Sequence, residues 1–139
     1  MADLNRSEAM DIVLTAEMLE WLRELPSLRA LHMLHEIAAL LRRHKERAWD
    51  ERLTQAALRL EMVAPLQYSD QTLASMQEIL DFFGAEQSLR DVYLSRETGH
   101  DIKRDEVEAV NARLGALTMD LLLSARQTVA RVAWTRRRA

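Results

Sequence analysis

No cysteine occurs in the 139 residues. Disulfides, thiolate zinc sites and cysteine nucleophiles are therefore excluded. Glycine and proline are nearly absent as well, at three and two residues. Turns are scarce in such a chain, which argues against long β-hairpin architectures. Three scattered glycines cannot form a phosphate-cradling loop, and no nucleophile-elbow pattern surrounds any serine. No apolar run approaches the ~20 residues needed to span a bilayer. The polar segment Met1 to Arg6 opens no signal-peptide core. The expectation is a cytoplasmic protein with no membrane span. The net charge of −3 argues against a strongly basic nucleic-acid binder and leaves a local basic patch open.

What is present is helix-forming. Leu, Ala, Glu, Arg and Met dominate, and 48% of the residues are apolar. The composition and length predict a single all-helical domain over 1–139. Any coarser subdivision falls near 65–69. Arg outnumbers Lys by 17 to 2. Arginine suits phosphate and carboxylate contacts, although GC-rich coding gives the same bias.

The pattern predicts an all-α helical bundle of five to six helices with a long C-terminal helix. Asn5 and Glu8 have capping-box spacing for a first helix. Its stripe is Leu14, Met18, Trp21, Leu22 and Leu25, and Pro26 ends it. Ser27 caps a second helix carrying Leu31, Leu34, Ile37, Ala38 and Leu41. After a charged stretch the chain bends near Trp49, with Asp50 as the cap. Trp49, Leu53, Ala56, Leu60 and Val63 form the third stripe, which Pro65 closes. Ser69 or Asp70 caps a fourth helix with Leu73, Met76, Leu80 and Phe83 inward and Gly84 at its C-terminal cap. A short fifth helix starts near Glu86 or Ser88 and carries Leu89, Val92 and Tyr93. Arg96 to Gly99 reads as a loop, and Asp101 caps the last helix. Met18, Met62 and Met76 are expected in the core.

The last helix, from about Asp105 to Arg137, is the strongest signal in the chain. Val107, Val110, Leu114, Leu117 and Leu121 form a seam of alternating three- and four-residue steps. The next seam positions, Ser124, Thr128 and Arg131, are polar. The apolar stripe shifts to Leu122, Ala125, Val129 and Val132, a displacement that resembles a stutter. The second half is therefore expected to overhang the domain and bind a partner through Leu122, Ala125, Val129, Val132 and Trp134. Past Asp120 no acidic residue follows. Arg126, Arg131, Arg136, Arg137 and Arg138 suit the negative end of the helix dipole or an anionic ligand.

Other candidate sites weigh less. His32, His35 and Glu36 share one helix neighbourhood and could contribute to a metal site, but a surface histidine pair explains them as well. Glu97 and His100 have the Glu-x-x-His spacing of di-iron bundles, without the second motif that chemistry needs. Arg42, Arg43, Lys45, Arg47 and Arg52 surround Trp49 and could contact phosphate. Interleaved acids make a salt-bridged face the simpler reading. No enzyme, cofactor or metal is expected. The leading expectation is a non-enzymatic interaction or oligomerisation module, with a homodimer or a protein partner on the C-terminal helix. The alternative is a small regulator that contacts nucleic acid through the arginine end.

Overall fold

The computed structural model describes residues 25–63, 69–84 and 86–138; the side chain of residue 138 is not described. Among them are four α-helices and one 3-10 turn, not five to six helices. They are α1 (Pro26–Arg43), α2 (Arg47–Met62), α3 (Asp70–Asp81), the 3-10 turn Leu89–Asp91 and α4 (Val107–Arg138). The expected first helix lies outside the described residues, apart from Leu25. The expected fifth helix is the 3-10 turn, three residues long with Ser88 as its cap.

Pro26 opens α1; the run expected to end at it lies outside the described residues, apart from Leu25. The proline sits in the first turn behind an extended Leu25, where its missing N–H removes a donor that would have no helical partner. Ser27 is buried within the helix and is not the cap. The buried face of α1 combines Ala30, Met33, Leu34, Ile37, Ala38, Leu40 and Leu41.

The break between α1 and α2 falls at His44 to Glu46, a few residues before the expected bend. Lys45 adopts a left-handed conformation at φ 64°, the geometry that lets the chain reverse and that disfavours any residue with a Cβ. Glu46, not Asp50, caps α2: its Oε2 accepts from the Trp49 backbone N–H at 2.9 Å. Asp50 lies in the first turn and accepts from Nε and Nη2 of Arg42, at 3.1 and 2.9 Å. Because only the backbone geometry disfavours Lys45, Lys45→Gly should raise stability by about 0.5–1 kcal/mol. A rise in urea midpoint checks this. The long, exposed Lys45–Asp101 contact at 4.0 Å contributes too little to mask the gain.

On α2, Trp49, Leu53, Ala56, Ala57 and Leu60 are buried. Met62, expected in the core, is instead 85% exposed at the helix end. Ser69 caps α3 by accepting from Thr72 N–H at 3.2 Å. The inward face of α3 is Thr72, Ser75, Met76 and Ile79, followed by Phe82. It is rotated from the expected stripe, of which only Met76 is fully inside; Leu80 and Phe83 are half-buried against the core. The two small hydroxyl residues permit close packing, a feature hidden by counting only large apolar side chains. Phe82, not Gly84, is the C-cap of α3, in right-handed helical conformation. Trp49 meets Phe82 edge to face, with ring centroids 5.7 Å apart. This contact ties the start of α2 to the end of α3.

The four helices alternate in direction. The α1–α2 hairpin is joined by His35–Glu61 at 2.6 Å, and α2 and α3 are joined by the ion pair Arg59–Glu78. Helix α4 runs antiparallel to α1, as Arg29–Asp120 and Glu36–Arg113 show. It also runs antiparallel to α3, since Asp70 pairs with Arg136. One core cluster takes side chains from all four helices, and Leu89, Leu94 and Ile102 from the 86–106 connection.

That connection is held by two histidines. His44 is buried, and its Nδ1 lies 2.8 Å from the Asp101 carbonyl. A carbonyl only accepts, so Nδ1 carries the proton and donates. The Asp101 N–H donates back to the His44 carbonyl at 3.0 Å. Asp101 is thus a partner of the α1–α2 turn and not the cap of α4, which begins at Val107; just ahead of it, Glu106 Oε1 accepts from Lys103 N–H at 3.0 Å. His100 uses the opposite tautomer. Its Nδ1 accepts from Ser95 N–H at 3.2 Å, and Nε2 faces Glu46 Oε1 at 3.3 Å. Glu46 therefore caps α2 with one oxygen and anchors the loop with the other.

Candidate interaction surface on the C-terminal helix

Helix α4 is continuous over 32 residues. Its expected seam packs as read: Leu114 and Leu121 are buried, while Val107, Val110 and Leu117 are half-buried against the core. Beyond Leu121 the buried face widens instead of rotating. Leu122, Ala125 and Val132 are buried, and so are Ser124 and Thr128. The hydroxyls meet their hydrogen-bonding needs within their own helix. Thr128 Oγ1 donates to the Ser124 carbonyl at 2.8 Å, and Ser124 Oγ donates to Asp120 Oδ1 at 3.3 Å. A serine or threonine bonded back to the previous turn presents mainly its carbon atoms to a neighbour. This is why polar letters occupy core positions here.

The residues expected to bind a partner are consequently placed inside. Leu122, Ala125 and Val132 are buried, Val129 is half-buried, and of the five only Trp134 is exposed, at 55%. The second half of α4 does not overhang at these positions.

The outward side of α4 carries a different apolar stripe. Met119 and Leu123 are both 47% exposed. Ala112, Ala116 and Ala130 are exposed with them. At ~100° per residue, Ala112, Ala116, Met119, Leu123, Ala130 and Trp134 fall within about 60° of one another. They lie opposite the face made by Leu114, Leu121, Ala125 and Val132. Helix α4 is therefore apolar on two opposite sides, one closed by the bundle and one turned outward.

The arginines do not form one patch. Arg136 pairs with Asp70 of α3. Arg126 and Arg131 are exposed but lie about 140° apart around the axis. Arg137 is exposed on the flank of Arg126. The basic cluster around Trp49 is dispersed too. Arg42 pairs with Asp50, and Arg52 stacks 4.0 Å from the Trp49 ring centroid and 5.2 Å from that of Phe82.

Asp120 marks the edge of the outward face. Its two oxygens take Arg29 Nε and Nη2, each at 2.6 Å. The hydrogen bond from Arg29 holds its carboxyl below the usual carboxylate range. Partial burial opposes this, while attraction to Arg29, the Ser124 hydroxyl and His32 add to it. A lowered carboxylate pKa stabilises the fold above the unfolded-state value, and that contribution is lost as pH falls through the folded value. Both side chains are partly solvated, so screening keeps the contribution to about 1 kcal/mol or less. Asp120→Asn should lower stability by that amount at neutral pH and flatten the pH dependence below about pH 4. Urea titrations of both proteins from pH 7 to pH 3 measure it.

The histidine candidates form no metal site. His32 faces Glu36 at 3.7 Å, while His35 turns away to Glu61. Glu97 is exposed in a turn and does not join His100, whose partners are Ser95, Thr98 and Glu46. Among the described residues no group of three His, Asp or Glu side chains could hold a metal ion, and no helix is long and apolar enough to cross a membrane. A groove of about 390 Å³ between α2 and α3 is lined by Glu51, Arg52, Gln55, Arg59, Glu78 and Phe82. Three of its four charged residues are already engaged, Arg59 with Glu78 and Arg52 with the aromatic rings.

Sequence reasoning missed Met119 and Leu123 because the seam drew attention to the opposite face. The 11-residue spacing Ala112, Leu123, Trp134 was the available signal. Compared with protein-family models, with curated proteins and with solved structures, the chain matches none.

Proposed function

We propose that this protein is a non-enzymatic helical interaction module whose contact surface is the outward face of α4. The observation that carries the reading is the pair Met119 and Leu123. These are two large apolar side chains one turn apart and half exposed, on a helix whose opposite face already closes the core. A helix of a monomeric bundle needs one apolar stripe; a second one points to a second contact. The alanines beside the pair have no polar groups to desolvate and allow a close neighbour.

The nucleic-acid alternative draws less support. Its arginines diverge around the helix, and Arg136 is engaged by Asp70. A phosphate-tracking surface needs its cations on one side.

Leu123→Glu tests the proposal. Leu123 is not in the core, so the melting temperature should stay within about 3 °C of the parent, equivalent to roughly 1 kcal/mol for a chain of this size. Burying a charge at a contact should weaken association tenfold or more, the effect of about 1.4 kcal/mol. The assay isolates the tagged full chain from the cells that make it and compares the bound protein, a second copy or another chain, with and without the substitution. Equal recovery from both forms overturns the proposal.

A further inference from the structure

We infer that the occupant of this face is a second copy of the chain, packed antiparallel along α4 with Leu123 at the two-fold axis. The inference rests on the contact-surface reading above and adds the partner and its direction. It comes from three properties of the outward stripe.

The first is period. Ala112, Leu123 and Trp134 are each 11 residues apart, and Ala116, Met119, Gln127 and Ala130 fill the intervals in steps of four, three and four. Eleven residues are nearly three turns of a straight α-helix. Such a stripe stays on one side of a helix that the bundle holds straight. A seven-residue repeat would require α4 to supercoil around its partner.

The second is size. The stripe is matched under reversal about Leu123. Antiparallel pairing sets Trp134 of one copy on Ala112 of the second copy and Ala116 on Ala130. It sets Met119 opposite Gln127, and Leu123 on its own counterpart. The largest side chain thus meets a small one, and small residues meet where the helices approach closely. Parallel pairing would stack Trp134 on Trp134 and leave the alanine pairs facing a gap.

The third is charge. The acidic residues of α4, Glu108 and Asp120, lie in its first half, and after Asp120 all charged residues are arginines. Parallel copies would set the two arginine-bearing second halves side by side and leave Glu108 at the far end from Arg137. Antiparallel copies place Arg137 beside Glu108 of the second copy. These two residues lie on the same flank, about 20° apart around the axis, and like flanks meet across an antiparallel two-fold pair. Arg126 falls on the flank of Met119, where its aliphatic stem can cover the thioether. The paired stretch from Ala112 to Trp134 is about 33 Å long.

The chain has no cysteine, so single introduced cysteines report the geometry directly. A disulfide requires Cβ atoms about 3.5–4.5 Å apart. Under mild oxidation of the full chain, Leu123→Cys should link to itself. Ala116→Cys and Ala130→Cys should each link poorly alone and at least about fivefold better when mixed. Glu97→Cys, on the exposed turn outside α4's stripe, gives the collisional background. Sedimentation of the cysteine-free chain should show a dimer that Leu123→Glu dissociates into a monomer with unchanged helix content and a cooperative melt, its midpoint falling only by what the lost association contributed. Ala116→Cys linking efficiently to itself overturns the antiparallel arrangement. A monomer at all concentrations, with Leu123→Cys linking no better than Glu97→Cys, overturns self-pairing. In that case, loss of a different protein partner on Leu123→Glu would leave the contact-surface reading standing, and loss of none would overturn that as well.

Discussion

Leu121→Ala is expected to lower the unfolding free energy by about 3–5 kcal/mol, the range for a leucine truncated in a packed interior. Leu121 is fully buried in the core cluster. It sits on α4 one residue after Asp120, which Arg29 of α1 holds with two hydrogen bonds of 2.6 Å. The helix beside Leu121 is thus pinned to α1, and α4 cannot easily slide to refill the space. The cavity should stay largely open, which places the effect in the upper part of that range. For a domain with a total stability of 5–15 kcal/mol, the loss corresponds to a fall in melting temperature of about 10–15 °C. Calorimetry measures it directly. Leu123→Ala, two residues away on the outward side, should change the melting temperature of the monomer by less than about 3 °C, from a loss under ~1 kcal/mol. If the two substitutions were equally harmful, the assignment of inner and outer faces on α4 would be wrong. Leu121→Glu, which places a charge in the core, would unfold the chain and says nothing about association.

Asn111→Ala should cost about 2–4 kcal/mol, far more than a half-buried polar truncation usually does. The Asn111 amide clamps Leu94 on both sides: Oδ1 accepts from Leu94 N–H at 2.8 Å, and Nδ2 donates to the Leu94 carbonyl at 2.9 Å. Nδ2 also donates to the Val107 carbonyl, one turn earlier in α4, at 2.8 Å. The side chain imitates a neighbouring strand for one residue of the connection. Leu94 itself is fully buried. Removing the amide strands a backbone donor and an acceptor next to the core, each worth about 1–3 kcal/mol when left unmade. Water entering the gap would reduce the sum. Asn111→Asp should be nearly as harmful, because a carboxylate replaces the donor and faces the Leu94 carbonyl. Hydrogen exchange at Leu94 gives the local readout: its amide should lose protection in Asn111→Ala to a greater extent than amides of α2.

Much of the fold was legible because the amphipathic periods are strong. The stripes of α1 and α2, the Ser69 cap of α3 and the uninterrupted α4 follow from spacing alone. The misreadings share a cause. On α3, Thr72 and Ser75 face inward, and on α4 Ser124 and Thr128 do the same. Their hydroxyls can bond within their own helix and so do not need solvent. A pattern built on large apolar letters therefore assigned them to the surface and rotated the stripe. The caps at Asp50, Gly84 and Asp101 failed for a different reason. Each residue type was suitable, but the position was settled by tertiary partners such as Glu46 with His100, or His44 with Asp101. Those pairs span 54 and 57 residues, and no local pattern reveals them. The outward face of α4 was hidden because its small alanines carry little weight beside the leucines and valines of the core seam.

Helix α4 follows the three helices that it closes, and that order has a bearing on synthesis. Arg29 and Asp120 are separated by 91 residues, so the element that closes the core leaves the ribosome after the helices it covers. The α1–α2 hairpin can form from local contacts while translation continues, and α3 can join it through Phe82 on Trp49. At that stage Leu34, Leu41 and Met76 still lack the cover of Leu114, Leu121 and Ala125. A nascent chain stalled before residue 120 would present a bundle with one side open, the kind of surface that chaperones bind. Completion of the bundle is therefore tied to α4, and truncation within it should yield a chain that is retained by chaperones or degraded.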